Sequence, residues 1–158
     1  MDDLKTDGTN WAQAFRVSLA RARTEARRAG SRTLEAEHLI LALAAEHGSA
    51  PARLLAEIGL DHARLTDAFR EERRQSLAFA GVDIALPEAK EWRGTPVWSS
   101  SAKNAIIGAH TFVTEHGRRR LTSVDLLVGI LKADLGTVPR ALALAGVDRE
   151  ALIARATA

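Results

Sequence analysis

The chain has 158 residues, of which 46% are hydrophobic and 27% charged, and its formal net charge is +2. This balance is typical of a globular protein and argues against a disordered one. Cysteine and tyrosine are absent and aromatic residues make up only 4%, which excludes disulfides, thiolate zinc sites and thiol catalysis and disfavours a β-sandwich or barrel.

Four helices are predicted in the first half of the chain. The first runs over about residues 12–29, where apolar residues recur at helical spacing. The helix boundaries are marked by glycines, which favour left-handed C-caps, or by serine and aspartate, which favour N-caps. These boundary residues are Gly30 after the first helix, Gly48 after the second, Ser49 before the third and Asp61 before the fourth.

The segment from about residue 75 to 97 is predicted to be a linker. It contains Gly81, Pro87, Gly94 and Pro96, and both residue types interrupt regular structure. The sequence leaves open whether this linker is ordered or partly mobile.

Four further helices are predicted after the linker. The fifth begins after one of the serines 99–101 and ends at Gly117, and the seventh follows Thr137. Thr122 and Asp125 have the spacing of a capping box at the start of the sixth, and Asp148 is an N-cap for the eighth.

The two sets of helices are copies of one unit. A shift of 87 residues aligns residues 11–70 with residues 98–157 without a gap and gives 13 identities over 60 positions. The aligned identities include Trp11 with Trp98 and Gly30 with Gly117, which composition alone does not readily produce.

The predicted fold is therefore all-α, with eight helices in two four-helix repeats related by a pseudo-twofold axis. Short helix pairs cannot bury their apolar faces alone, so we expect the repeats to pack together in a single domain over residues 1–158. Repeat 1 spans about residues 11–74, the linker about 75–97 and repeat 2 about 98–158.

Several segments resemble the N-terminal domain of Clp-type AAA+ chaperones, most closely of the ClpC and ClpA kind. They are Glu25-Ala26-Arg27, the stretch LEAEHLILAL at 34–43, and the turns LAEIGL at 55–60 and LALAGV at 142–147. The resemblance implies an eight-helix Clp repeat fold and a role in docking adaptors or substrates for a Clp ATPase and protease. Repeat 1 matches the family pattern better than repeat 2.

No G-x-x-x-x-G-K-[ST] phosphate loop is present, so we expect a stand-alone Clp N-domain-like protein without the ATPase, unless the chain is a fragment of one. The predicted function is a cytoplasmic, non-enzymatic binding protein that docks peptides, adaptors or cyclic-peptide ligands. It would modulate substrate delivery to a Clp protease or sequester that protease's ligands. The alternative is a scaffold whose partner is unrelated to proteolysis.

The resemblance also implies a pocket for phosphoarginine, in which a glutamate holds the guanidinium and a hydroxyl at the start of the first helix helps with the phosphate. Glu37 matches the glutamate in repeat 1, but Ala12 stands where the hydroxyl is expected. Repeat 2 keeps the hydroxyl as Ser99 and has Val124 in place of the glutamate. Each repeat retains half of the pocket, so we expect phosphoarginine recognition to be weak or lost.

Trp11, Trp98 and His38 are further candidate ligand-binding residues, and Trp92 is a fourth residue of interest. Trp11 and Trp98 open the two repeats, either as packing residues or as anchors for a partner or a cyclic peptide. His38 follows Glu37 and is either a ligand contact or a structural histidine. Trp92 in the linker is either a tether or a contact residue.

Other classes of site are disfavoured. The histidines lack metal-ligand spacing, the serines lack a nucleophile motif, and no catalytic residue or cofactor is predicted. Basic residues cluster at 118–120 without interleaved aromatics, so no nucleic-acid partner is expected. No apolar run is long enough to span a membrane, and the segment from Met1 to Lys5 lacks the features of a signal peptide.

Overall fold

A computed structural model describes residues 13–158 of the protein, with side chains from Phe15 onward. This part of the chain forms eight α-helices and one pair of two-residue parallel strands, which confirms the predicted all-α fold. The elements are α1 Gln13–Arg28, β1 Thr33–Leu34, α2 Ala36–Ala45, α3 Ala50–Glu57, α4 His62–Phe79, β2 Val97–Trp98, α5 Ser100–Glu115, α6 Ser123–Leu131, α7 Thr137–Leu144 and α8 Arg149–Ala156.

The helices repeat with the same spacing as the sequence. Each of α5 to α8 begins 87 residues after its counterpart among α1 to α4. The fourth pair differs in length, because α4 has 18 residues and α8 has 8. The internal repeat is therefore a repeat of helices, and the longer α4 makes the two copies unequal.

Side-chain caps explain where several helices begin. The Ser49 hydroxyl accepts a hydrogen bond from the backbone N–H of Ala52 at 3.2 Å, and the Asp61 carboxylate accepts one from Arg64 N–H at 2.8 Å. Each cap satisfies a backbone donor that has no partner inside the helix and contributes about 1 kcal/mol. These local contacts are the ones that the sequence predicted.

Two boundaries differ from the sequence prediction. Helix α7 does not follow Thr137 but begins with it, and its N-cap is Gly136, which has a φ of 115° and offers no side-chain cap. Helix α4 continues past the predicted linker start to Phe79, and Glu71 accepts hydrogen bonds from Arg74 and Gln75 on its added turns. Side-chain pairs three or four residues apart stabilise a helical segment even where it lacks a strong apolar pattern.

One hydrophobic cluster joins both repeats. Leu39, Leu43 and Leu55 from the first repeat and Leu126 and Ile130 from the second are at most 1% exposed within it. Each such side chain contributes about 1.5–3 kcal/mol by leaving water. None of the helices in residues 13–158 is both long and apolar enough to cross a membrane.

Helices α5 and α6 approach unusually closely at Gly129. A Cβ atom at this position would lie 2.1 Å from the carbonyl oxygen of Ala105 and 2.6 Å from the backbone nitrogen of Ala109. Only glycine leaves room for this contact, so the residue fixes how the two helices pack.

The linker is held along the C-terminal end of α1. Trp92 N–H donates to the carbonyl of Arg27 at 2.9 Å, and Arg27 Nε donates to the carbonyl of Gly94 at 2.8 Å. The guanidinium of Arg32 lies 5.9 Å from the centre of the Trp92 ring. These contacts agree with the tether interpretation of Trp92, and because its ring is half-buried the contact role stays a prediction.

Candidate functional site

The N-terminus of α2 brings together the candidate residues of repeat 1. His38 is 2% exposed, and its Nδ1 accepts a hydrogen bond from the backbone N–H of Glu35 at 2.9 Å. Burial lowers the pKa of His38 to about 4. The ring is therefore neutral near pH 7 and ties down the first turn of the helix, which leaves little of it for a ligand to contact.

Glu37 lies beside His38 and is only 11% exposed. Its Oε1 is 3.6 Å from a guanidinium nitrogen of Arg73 on α4 and 3.7 Å from His38 Nε2. Burial raises the pKa of Glu37 above its ordinary value, and the positive charge of Arg73 acts in the opposite direction. A guanidinium from the protein itself thus already faces the carboxylate that the resemblance assigns to a ligand guanidinium.

Glu35, which sequence reasoning did not single out, occupies the junction between the repeats. Its carboxylate accepts hydrogen bonds from the hydroxyls of Ser101 at 2.6 Å and Thr33 at 2.9 Å. Burial acts to raise the pKa of Glu35, but hydroxyl hydrogen bonds from Ser101, Ser99 and Thr33 together lower it. The sequence did contain a signal for Glu35, because the 87-residue alignment matches it with Thr122, which was predicted to cap a helix.

Ser99 and its neighbours connect α5 to this junction. The Ser99 hydroxyl caps α5 by accepting from Ala102 N–H at 3.2 Å and lies 3.0 Å from the Ser101 hydroxyl. The Ser101 hydroxyl in turn accepts from Ala36 N–H at 2.9 Å. Ser99 of repeat 2 therefore lies near the α2 N-terminus of repeat 1, and Glu37 and Ser101 line one cleft of about 230 Å³.

Of the two candidate tryptophans, Trp98 lies within the described residues. Trp98 pairs with Leu34 in the parallel strands and packs, partly buried, against the core. This position agrees with a packing role and leaves part of the ring accessible. Trp11 lies outside the described residues.

Repeat 2 uses the equivalent positions differently. Val124 stands where repeat 1 has Glu37, and the position of His38 is taken by Asp125, which is 2% exposed. Asp125 accepts hydrogen bonds from the Arg118 guanidinium at 2.5 and 3.2 Å and from Thr122 N–H at 2.8 Å. This carboxylate is fully engaged within its own repeat.

A second cleft lies between α1, α2 and α4, and we refer to it as the α1–α4 cleft. It has a volume of about 240 Å³. Its lining includes the polar pair of Glu25 and His62, whose Oε1 and Nε2 are 3.0 Å apart. The lining residues are Glu25, Arg28, Ala29, Glu37, His38, Leu41, His62, Thr66, Phe69, Arg70, Arg73 and Ala89.

Two four-helix repeats that share a core and meet at a polar junction define a double-repeat helical domain. Residues 10–79 match the family described as the Clp repeat (R) N-terminal domain. These residues therefore belong to the Clp N-terminal domain family, which confirms the resemblance inferred from the sequence. Domains of this family are protein-interaction domains, which supports a protein-binding role for the chain.

Solved structures share the fold over nearly the whole chain. The N-terminal domain of the caseinolytic protease associated chaperone ClpD from Arabidopsis thaliana has a TM-score of 0.67 and 19% identity, covering 93% of this chain and 92% of that one. A structure from a malarial protein secretion system has a TM-score of 0.65 and 16% identity with the same coverage. At these identities the likeness establishes the fold alone. Comparison with curated proteins gave no match.

Proposed function

We propose that this chain is a binding module that docks peptides, adaptors or cyclic-peptide ligands in the cytoplasm. In this role it modulates substrate delivery to a Clp protease or sequesters that protease's ligands. The observation that carries the proposal is the open α1–α4 cleft, whose lining residues apart from Ala89 lie within the part of the chain that matches the Clp repeat family. Glu37, His38, Trp98 and Ser99 remain the candidate contact residues, with Trp11 from the undescribed part.

The buried polar side chains make contacts within the protein. Every buried side-chain polar atom in the described residues has a hydrogen-bond partner. In the same part of the chain, no group of three histidine, aspartate or glutamate side chains is arranged to hold a metal ion. The buried polar groups fix the starts of helices, as in His38 with Glu35 at α2 and Asp125 with Arg118 at α6.

Phosphoarginine is a poor fit to the junction in its present form. Arg73 competes with a ligand guanidinium for Glu37. The Glu35 carboxylate accepts a hydrogen bond from the Ser101 hydroxyl, which lies 3.0 Å from the Ser99 hydroxyl that the resemblance assigns to the phosphate. A phosphate there would also meet the negative charge of Glu35. Replacing Glu35 by serine should remove this repulsion and strengthen phosphoarginine binding, while an unchanged affinity would contradict the account.

Affinity capture with the tagged chain from native lysate tests the proposed function. We expect a Clp ATPase, protease subunit, adaptor or protease substrate to be enriched over an unrelated helical protein used as bait. Enrichment of one dedicated partner without any proteolytic component would favour the alternative, a scaffold unrelated to proteolysis. Loss of all specific capture would contradict both.

A further inference from the structure

We propose that the α1–α4 cleft binds an acidic peptide segment of a protein partner, with an apolar side chain between the acidic ones contacting the cleft floor. This inference rests on the proposed function and deepens it, because it names the chemistry of the partner.

The floor of the cleft is apolar at its centre. Leu41 of α2 is 8% exposed and Phe69 of α4 is 4% exposed, so both contribute surface while remaining anchored in the core. Ala29 at the end of α1 and Ala89 of the linker add small side chains at the edges. Such a floor suits a single aliphatic side chain, which gains free energy on leaving water.

The rim of the cleft is cationic. Arg28 from α1 and Arg70 from α4 are exposed, and within residues 13–158 neither forms an ion pair or a side-chain hydrogen bond. The guanidinium of Arg73 lies nearby and is 53% exposed. Unpaired arginines on two different helices provide planar donors for carboxylates on either side of a bound segment.

The negative charges in the cleft are already engaged. Glu25 is 8% exposed and paired with His62, and Glu37 is 11% exposed and faces Arg73. The charge that remains for a ligand is therefore positive, which favours an acidic partner over a basic one.

The size and lining of the cleft favour a peptide over a nucleic acid. A volume of about 240 Å³ accepts one or two side chains. Binding of single-stranded nucleic acid relies on exposed aromatic rings for base stacking. Among the described residues, the only phenylalanine, tyrosine or tryptophan that lines this cleft is the buried Phe69.

The test measures fluorescence anisotropy of three labelled twelve-residue peptides with the complete chain. One alternates glutamate with leucine, one replaces each glutamate by lysine, and one replaces each leucine by serine. We expect saturable binding of the first peptide only, with an affinity that falls as salt rises. Equal binding of the lysine peptide, or displacement of the first peptide by a short single-stranded RNA, would overturn the inference.

Charge reversal locates the site. The double substitution Arg28→Glu and Arg70→Glu should weaken binding of the glutamate–leucine peptide about tenfold, because both replaced side chains contact the acidic segment. The matched control is the double substitution Arg53→Glu and Arg64→Glu, which makes the same change in net charge at two exposed arginines that do not line this cleft, and it should leave the affinity unchanged. Equal effects of the two reversals, with helicity retained, would show that the cleft is not the site.

The same variants separate this inference from the proposed function. If the wild type and the double variant capture the same partners from lysate, partner binding stands and the acidic-segment inference fails. If the wild type captures nothing specific while the glutamate–leucine peptide binds at the cleft, the proposed function fails and the chemistry of the cleft stands.

Discussion

Buried His38 gives the protein a specific sensitivity to acid that the substitution His38→Gln should remove. The imidazole is 2% exposed and its Nδ1 accepts from the N–H of Glu35, so protonation would remove an acceptor and bury a charge. Glutamine at the same helix position can accept from that N–H in a capping box but does not titrate. The variant therefore keeps the hydrogen bond, but its stability no longer depends on protonation of this side chain.

The magnitude follows from the difference between the folded and unfolded pKa values. The pKa of His38 is about 4 in the folded protein and about 6.5 in the unfolded chain, so between these pH values the unfolded chain binds a proton that the folded chain does not. The stabilisation is complete above pH 6.5 and is lost as pH falls toward 4. Between pH 7 and pH 5 this single group should lower the free energy of unfolding by about 2 kcal/mol.

Urea unfolding followed by far-UV circular dichroism at pH 7, 6 and 5 measures the effect. Between pH 7 and pH 5 the free energy of unfolding of the wild type should fall by about 2 kcal/mol more than that of His38→Gln. This difference does not depend on how much the substitution itself destabilises the protein at pH 7. Glu37 acts with the opposite sign because its pKa is raised, but it is present in both proteins and largely cancels in the difference. His110→Gln, which removes an exposed histidine of α5, controls for the loss of an imidazole. Parallel pH profiles of wild type and His38→Gln would refute the reasoning.

Three further predictions concern packing, a buried carboxylate and the phosphoarginine pocket. Gly129→Ala should cost about 1–3 kcal/mol in chemical denaturation because its Cβ would overlap backbone atoms of α5. Gly108→Ala, whose Cβ would come no closer than 3.4 Å to any neighbour, should be close to neutral, and equal effects would argue against the close approach. Asp125→Ala should cost about 2–4 kcal/mol by removing a cap and a buried ion pair, and Arg118→Ala should cost less, since Thr122 still donates to the carboxylate. Calorimetric titration of free phosphoarginine should not saturate below about 1 mM, whereas tight binding that Glu37→Ala abolishes would contradict the expected loss.

The helices and their repetition could be predicted from the sequence because their signals are local. Ser49 and Asp61 cap helices through donors three residues away, and Gly30 follows α1 with a φ of 68°. The same local signals recur 87 residues later, and this recurrence was enough to predict the second set of helices and the family resemblance. Where a local signal was weak the prediction was wrong, as at the start of α7, where Gly136 offers no capping side chain.

The candidate site depends on contacts between residues far apart in the sequence. Arg73 reaches Glu37 from another helix, and Ser101 reaches Glu35 from the other repeat, 66 residues away. The half-pockets predicted in separate repeats come close together because the parallel strands bring Ser99 to the N-terminus of α2. Side-chain periodicity and capping are determined within a few residues, so the sequence by itself determined the helices. Which charges meet is determined only when both repeats pack into one core, so only the tertiary structure decided that Glu35 and Glu37 are held by the protein itself and that Arg28 and Arg70 remain open to a partner.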